Sequence, residues 1–330
     1  MKNLLIAASA VKRLATQLAN FTDKVNLFEM QADGSVTHGG EPVSLADIDI
    51  HCGWLSSDIM AAKLTRDYAI SLLKSSTLEW VQSLSAGLDD PFFTKLAEKG
   101  IRLSNSDAQA PAIAEYVVAS VLQRYQGFDI RKQFQNDAKW QANDFKEIYN
   151  SNWLIIGLGN IGQLVADRVT AFGGNVTGVK RDPNRANDYP LIGFDNINAN
   201  LAQQDVVVLA CALTADTRDL VDQAFLAQMK PDAIIVNIGR GDLVKEDELL
   251  IALDKDAIDF AVLDVFRTEP LPEKSRFWNH PKVLVTPHSS NRGLGTDSRG
   301  DSLFLANLDA YINNKVLKNE VNTTELRPAV

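Results

Sequence analysis

Short apolar runs alternate with stretches of helical periodicity along most of the chain. In the first hundred residues, Leu4–Ala8, Val25–Met30, Leu78–Ser83 and Gly100–Ser104 read as buried strands, and a helix carrying Val11, Leu14, Ala15 and Leu18 follows the first of them. That alternation predicts a small parallel α/β unit. From Ala110 to Tyr125 apolar residues recur at helical spacing behind Pro111, which predicts a long connecting helix. A polar, weakly patterned stretch covers Gln126–Asn150. Beyond it Trp153–Ile156, Asn175–Lys180, Val206–Ala210, Ala233–Asn237, Asp259–Asp264 and Lys282–Thr286 read as buried strands separated by helical segments, the pattern of a doubly wound sheet. A last helix over Asp297–Asn313, with Leu303, Leu305, Leu308, Tyr311 and Ile312, is placed to return to the first unit. The expectation is an α/β protein of two doubly wound parallel-sheet domains, residues 109–289 forming one and residues 1–108 with 290–330 the other.

Composition narrows the partners. A chain of 330 residues suits two domains, and 45% hydrophobic with 23% charged residues leaves material for a core in each. The net charge of −9 opposes binding to nucleic acid or to an anionic membrane surface. No apolar stretch approaches the roughly 20 residues that span a bilayer. The start, Met1–Ala10, has the outline of a leader, but its apolar run is short and reads better as the first strand. Cys52 and Cys211 form no close pair and no Cys/His cluster, so neither a disulfide framework nor a metal site is expected, and a reducing, cytoplasmic setting fits.

The strongest single motif is Gly157-Leu158-Gly159-Asn160-Ile161-Gly162, set between a predicted strand and a predicted helix. In that context glycines allow a tight turn, close approach of a pyrophosphate and close helix packing, while the helix N-terminus offers unpaired N–H groups. A dinucleotide is therefore the expected ligand. A site built for NAD ends its second strand in Asp or Glu, about 20 residues on. Here Lys180 and Arg181 stand at that point, which favours the 2′-phosphate of NADP over NAD; Arg185 is near enough in sequence to add a third cation, and Asp182 is the counter-indication.

Six ordered segments then resemble the D-2-hydroxyacid dehydrogenase family: Ser85-Ala86-Gly87-Leu88-Asp89, the glycine motif, Asn237-Ile238-Gly239-Arg240-Gly241, Leu263-Asp264-Val265-Phe266, Glu269-Pro270-Leu271-Pro272 and Thr286-Pro287-His288. The resemblance runs from about residue 80 to residue 290. It implies a Rossmann-like cofactor domain, a flavodoxin-like substrate domain and reduction of a small 2-keto acid to a D-2-hydroxy acid. It assigns Arg240 to the substrate carboxylate and keto oxygen, His288 to proton donation and Glu269 to partnering His288. A planar guanidinium suits a carboxylate, and imidazole is the side chain that titrates near neutral pH. The same resemblance places Asp264 on the nicotinamide carboxamide, with an N-cap as its plain alternative. It also passes Cys211, Ala212 and Leu213 beneath the nicotinamide ribose, and aims the backbone of Ser85, Ala86 and Gly87 at the substrate. Trp54 is either an apolar wall for the substrate or a core residue. His38, His51 and His280 read as structural. Where the family carries a Leu-x-Gly-Lys/Arg turn, this chain has Ile148-Tyr149-Asn150-Ser151-Asn152.

The resemblance further implies a homodimer through the helices over Ala110–Tyr125. Two alternatives stand beside the reductase. A phosphoglycerate dehydrogenase-like enzyme would be expected to carry a regulatory domain for which little chain follows the last helix, and a dinucleotide-sensing co-repressor-like protein would bind the cofactor without turnover. Formate dehydrogenases would carry Gln where Glu269 stands.

Overall fold

The computed structural model describes residues 1–184 and 186–323. The chain packs as two units, Met1–Gln109 with the chain from Leu294 on, and Ala110–Gly293.

In the first unit, strands β1 (Lys2–Ala7), β2 (Val25–Met30), β3 (Val36–His38), β4 (Glu41–Val43), β5 (Cys52–Leu55), β6 (Trp80–Ser83) and β7 (Arg102–Ser104) form one sheet of order β4-β3-β2-β1-β5-β6-β7. The run β2-β1-β5-β6-β7 is parallel and has the flavodoxin-like order. The expected purely parallel unit is corrected at one edge, where β3 and β4 add an antiparallel hairpin on β2. Of its residues only Val36 is buried. The expected first helix is also broken: α1 (Ala8–Arg13) ends at Leu14, whose φ of −101° and ψ of 15° leave the helical region, and a separate turn covers Ala15–Leu18. Leu14 and Leu18 are buried as expected, but Ala15 is exposed. The core combines Leu4, Ile6, Trp80 and Leu103 from the sheet with Phe304 and Leu308 of the last helix.

The second unit is a seven-stranded sheet of β8 (Asn152–Ile156), β9 (Asn175–Val179), β10 (Leu191–Ile192), β11 (Val206–Leu209), β12 (Ile234–Asn237), β13 (Phe260–Leu263) and β14 (Val283–Val285), in the order β10-β9-β8-β11-β12-β13-β14. Every neighbouring pair is parallel. Both faces are covered, which is why its strands read as unbroken apolar runs. Leu154 and Ile156 of β8 enter the core on one side with Val207 and Leu209. Trp153 and Ile155 enter the other with Val206 and Val208, beneath α2 (Ala110–Gln126). Each fully buried Val, Leu or Ile contributes about 1.5–3 kcal/mol.

The polar stretch after α2 holds a further helix, α3 (Phe128–Asn136), with no buried residue and hence no apolar stripe for periodicity to reveal. The departure at Ile148–Asn152 is closed by different means. Asn150 takes a left-handed φ of 61°, and Ser151 bonds back to the Ile148 carbonyl through both its N–H (2.9 Å) and its hydroxyl (2.6 Å).

Candidate active site

The glycine motif follows β8 and opens α4 (Asn160–Ala171), a helix whose N-cap is Gly159. Its three glycines meet three different constraints. At Gly157, φ is +99° and a Cβ would lie 2.5 Å from the Cys211 nitrogen, so both backbone and space demand glycine. At Gly162 a Cβ would lie 2.3 Å from the Gly157 carbonyl oxygen, so the helix sits against the strand only without a side chain. Gly159 differs: nothing lies within 4 Å of its Cβ position, and its φ of −89° and ψ of −158° are extended. Open space at a helix N-terminus, flanked by two sterically required glycines, fits a pyrophosphate.

Lys180 follows β9 directly, its N–H donating to the Ile192 carbonyl at 3.1 Å, and its side chain is half-buried; Arg181 and Asp182 are exposed. Asp182 accepts the N–H of Asn184 at 3.1 Å, so its carboxylate is turned onto its own loop. Arg185 lies outside the described residues. Cys211 follows β11 and touches the crevice at both Gly157 and Gly239, the latter's Cβ position lying 3.0 Å from the Cys211 carbonyl oxygen. Removal from water pushes the Cys211 thiol up to about 11 against the opposing charge of Arg181, so it lines the crevice as a neutral group. The turn behind it is closed by Thr217, whose hydroxyl donates to the Ala212 carbonyl at 2.8 Å, and Leu213 is half-buried against the core.

Arg240 lies past the end of β12. Asn237 shapes its turn by accepting the Gly239 N–H at 3.1 Å and donating to the Arg240 carbonyl at 2.9 Å. The next residue, Gly241, is pressed onto the backbone at Phe266, where a Cβ would lie 1.9 Å from the Phe266 carbonyl carbon. The Arg240 loop is thus fastened to the segment that carries Glu269. Glu269 in turn accepts the Phe266 N–H on Oε1 at 3.0 Å and meets His288 Nδ1 on Oε2 at 2.8 Å. That contact fixes a proton on Nδ1 and directs Nε2 away from the carboxylate. Both side chains are solvent-accessible, at 47% for His288 and 37% for Glu269, as a group that exchanges protons with a ligand must be.

Asp264 follows β13 and is almost completely buried, at 1% exposure. Its carboxylate accepts the Thr286 hydroxyl at 2.6 Å, the Ser289 N–H at 2.8 Å, the Ser290 N–H at 3.1 Å and the Ser290 hydroxyl. The chain's own donors reach both oxygens, and none of them is the N–H of a helix opened by Asp264, so the carboxylate ties the turn around His288 and caps no helix. Sequence reading missed these donors: Thr286 stands in the quoted Thr-Pro-His segment, and Ser290 only two residues past His288.

In the first unit, the Ser85–Gly87 turn follows β6. Ser85 commits its N–H to Ser83 Oγ at 3.0 Å and the Ala86 carbonyl accepts from Asn105 at 2.8 Å, so Ala86 and Gly87 supply the candidate amides. Trp54 is a core residue: it is 4% exposed and stacks on Phe304 with ring centroids 4.1 Å apart. The remaining histidines have local partners, His38 at the Leu27 carbonyl, His51 at the Asn3 N–H and His280 at the Lys282 N–H. Among the described residues no group of His, Cys, Asp and Glu is arranged to hold a metal ion, and no helix is long and apolar enough to cross a membrane.

A parallel sheet with a glycine-rich turn opening a helix, and an Arg, a Glu and a His at successive strand ends, defines a dinucleotide-binding oxidoreductase of the doubly wound class. Residues 118–290 match the family model described as the D-isomer specific 2-hydroxyacid dehydrogenase, NAD binding domain. The chain is 32% identical to glyoxylate/hydroxypyruvate reductase A of Serratia proteamaculans over 66% of its length and 72% of the relative's. It is 32% identical to the corresponding reductase of Arabidopsis thaliana over 73% of its length and 77% of the relative's. Among solved structures, the NADPH-dependent glyoxylate/hydroxypyruvate reductase of Sinorhizobium meliloti, in complex with NADP and sulfate, shares the fold at a TM-score of 0.75 and 20% identity, covering 98% of this chain and 99% of that one. The chain belongs to the D-isomer-specific 2-hydroxyacid dehydrogenase family.

Proposed function

We propose that this protein reduces a small 2-keto acid to the D-2-hydroxy acid with NADPH, using Arg240, Glu269 and His288. The observation that carries the reading is the Glu269–His288 pair at 2.8 Å, presented at a strand end of the sheet whose glycine turn leaves open space at Gly159. When bound, the reduced nicotinamide supplies the hydride that adds to the keto carbon. The chain's part is positioning and proton supply. Arg240 grips the substrate carboxylate in a planar geometry and draws charge onto the keto oxygen. His288 delivers the proton to that oxygen from Nε2 while Glu269 holds Nδ1. Lys180 with Arg181 favours the 2′-phosphate.

Glyoxylate and hydroxypyruvate, the keto acids in the names of the Serratia and Arabidopsis relatives, are the first substrates to try. Initial velocities with NADPH and NADH on glyoxylate, hydroxypyruvate, phenylpyruvate and 2-ketoisocaproate test the reading. Turnover is expected with NADPH on the smaller acids, and Arg240→Lys is expected to lower kcat/KM ~10²–10³-fold. Tight NADPH binding without turnover on any of the four acids would instead assign the chain a sensing role.

The protein acts in this reading as a cytoplasmic homodimer. Both cysteines are unpaired, and Phe128, Ile130, Trp140 and Phe145 expose apolar surface just beyond α2. Sedimentation velocity is expected to give a dimer that Trp140→Ser weakens; a monomer at micromolar wild-type concentration removes the assembly from the proposal.

A further inference from the structure

His288 is one of the non-glycine residues whose backbone is left-handed, with a φ of 49°, a region uncommon for residues with a side chain. The surroundings here are unusually complete. The His288 N–H donates to the Asp264 carbonyl at 2.8 Å, while the next two residues place their N–H groups, and Ser290 its hydroxyl, on the Asp264 carboxylate. From the other side Thr286, two residues before His288, donates to Oδ1 at 2.6 Å, and Tyr116 of α2 lies 2.7 Å from the Thr286 oxygen. The hydrogen-bond directions follow by elimination. An ionised carboxylate only accepts, so the single Thr286 hydroxyl proton goes to Asp264, and Tyr116 must donate to Thr286. Burial pushes the Tyr116 phenol up to about 12, so that donor persists across neutral pH.

We propose that Tyr116, Thr286, Asp264 and Ser290 form a positioning chain, buried at Asp264 and Ser290 and half-buried at Thr286 and Tyr116, that holds the His288 turn in its left-handed form and so aims the proton donor. Asp264 thereby acts on the His288 turn through both its carbonyl and its carboxylate. These four side chains are positioning residues, and their catalytic consequence rests on the proposed role of His288. The hold itself does not, because it is visible in His288 without turnover.

The test uses the full-length protein with 13C-labelled histidine, the His288 resonance being assigned by its loss in His288→Asn. Tyr116→Phe, Thr286→Val and Ser290→Ala each remove one link, and Thr286→Ser restores one. The wild type and Thr286→Ser are expected to show one sharp His288 resonance, and Thr286→Val and Ser290→Ala broadened or multiple ones. NADPH affinity, read by fluorescence, should stay within about two-fold while kcat falls ~10-fold at nearly constant KM, the signature of a misplaced group rather than lost binding. Combining Tyr116→Phe with Thr286→Val should add little to Thr286→Val alone, since both cut one chain. An unchanged His288 resonance in Thr286→Val and Ser290→Ala overturns the proposal, as does a large loss of NADPH affinity with that resonance intact, which would return Asp264 to the cofactor. Absence of turnover in the wild type with the resonance changes present strikes the reductase reading and leaves the hold in place.

Discussion

Both units carry a run of parallel strands whose first strand sits beside the point where the strand order reverses, between β1 and β5 in one and between β8 and β11 in the other. In open α/β sheets that point is where ligands bind. The two units treat it in opposite ways. After β8 the chain turns through glycines and leaves free space over Gly159. After β1 it runs straight into α1, and Arg13 at the end of that helix reaches Asp58, three residues past β5. Its guanidinium bonds both Asp58 oxygens at 2.8 Å and reaches Asp301 at 2.9 and 3.0 Å, while Ser9 adds a bond to Asp58 at 2.8 Å. The same topology thus carries a glycine turn with open space after the first strand in one unit and an ionic clamp built from the helix after the first strand in the other.

The largest effect should come from closing the open crevice. Gly159→Val introduces a side chain into free space at an extended backbone position, so the fold should tolerate it with Tm within a few degrees, whereas NADPH affinity should fall ~100-fold or more because the side chain stands where the phosphates approach. Gly157→Val should do the reverse damage, lowering Tm strongly through its φ of +99° and the contact with Cys211. Titration fluorimetry with thermal unfolding separates the two; equal loss of stability in both variants would mean that Gly159 is as structurally required as Gly157.

A smaller effect is expected from the charges beside the crevice. Lys180→Asp with Arg181→Ala puts a carboxylate where a ribose hydroxyl would be recognised and removes the partners of a 2′-phosphate. The ratio of kcat/KM for NADPH over NADH should fall by ~10²-fold, mostly through KM. A ratio that stays put would show that cofactor choice is made elsewhere.

What the sequence disclosed and what it hid follow the same physical line. Strands buried on both faces, such as β11 and β12, appear as continuous apolar runs because nothing polar is admitted, and the glycine turn appears because each glycine answers a steric demand. Strand β5 escaped because Gly53 and Cys52 interrupt its pattern. That glycine is required, since a Cβ there would lie 2.8 Å from Leu72 and 2.9 Å from the Tyr68 hydroxyl. The β3–β4 hairpin and α3 escaped for the opposite reason, having little or no buried face to create periodicity. At the candidate site, Arg240 and His288 were legible as residue types at strand ends, and Glu269 through the family resemblance of its Glu-Pro-Leu-Pro segment. The commitments of Asp264 were not, because they depend on which hydroxyls surround a buried carboxylate, and Tyr116 comes from a helix far away in sequence. Trp54 was ambiguous until its stacking on Phe304 was visible.

The smallest effect tests the closed half of the comparison. Burial pushes the Asp58 carboxyl up, but the hydrogen bonds from Arg13, Ser9 and Ser56, with the Arg13 charge, outweigh it and hold the group below the usual carboxylate range. Its folded pKa therefore lies below its unfolded value of about 3.9. The stability this provides is fully present above that unfolded value, including at neutral pH, and is lost as pH falls through the lower folded one. In Arg13→Met the burial remains while the guanidinium is gone, which raises the Asp58 pKa and moves the loss upward. Far-UV circular dichroism between pH 6 and pH 2 should place the acid unfolding midpoint of Arg13→Met about half a pH unit above the wild type. Adding Asp58→Asn to Arg13→Met should bring it part of the way back down, since Asp58 no longer takes up a proton while Asp301 still does. Coincident midpoints in wild type and Arg13→Met would mean that the clamp fills space without supporting the fold.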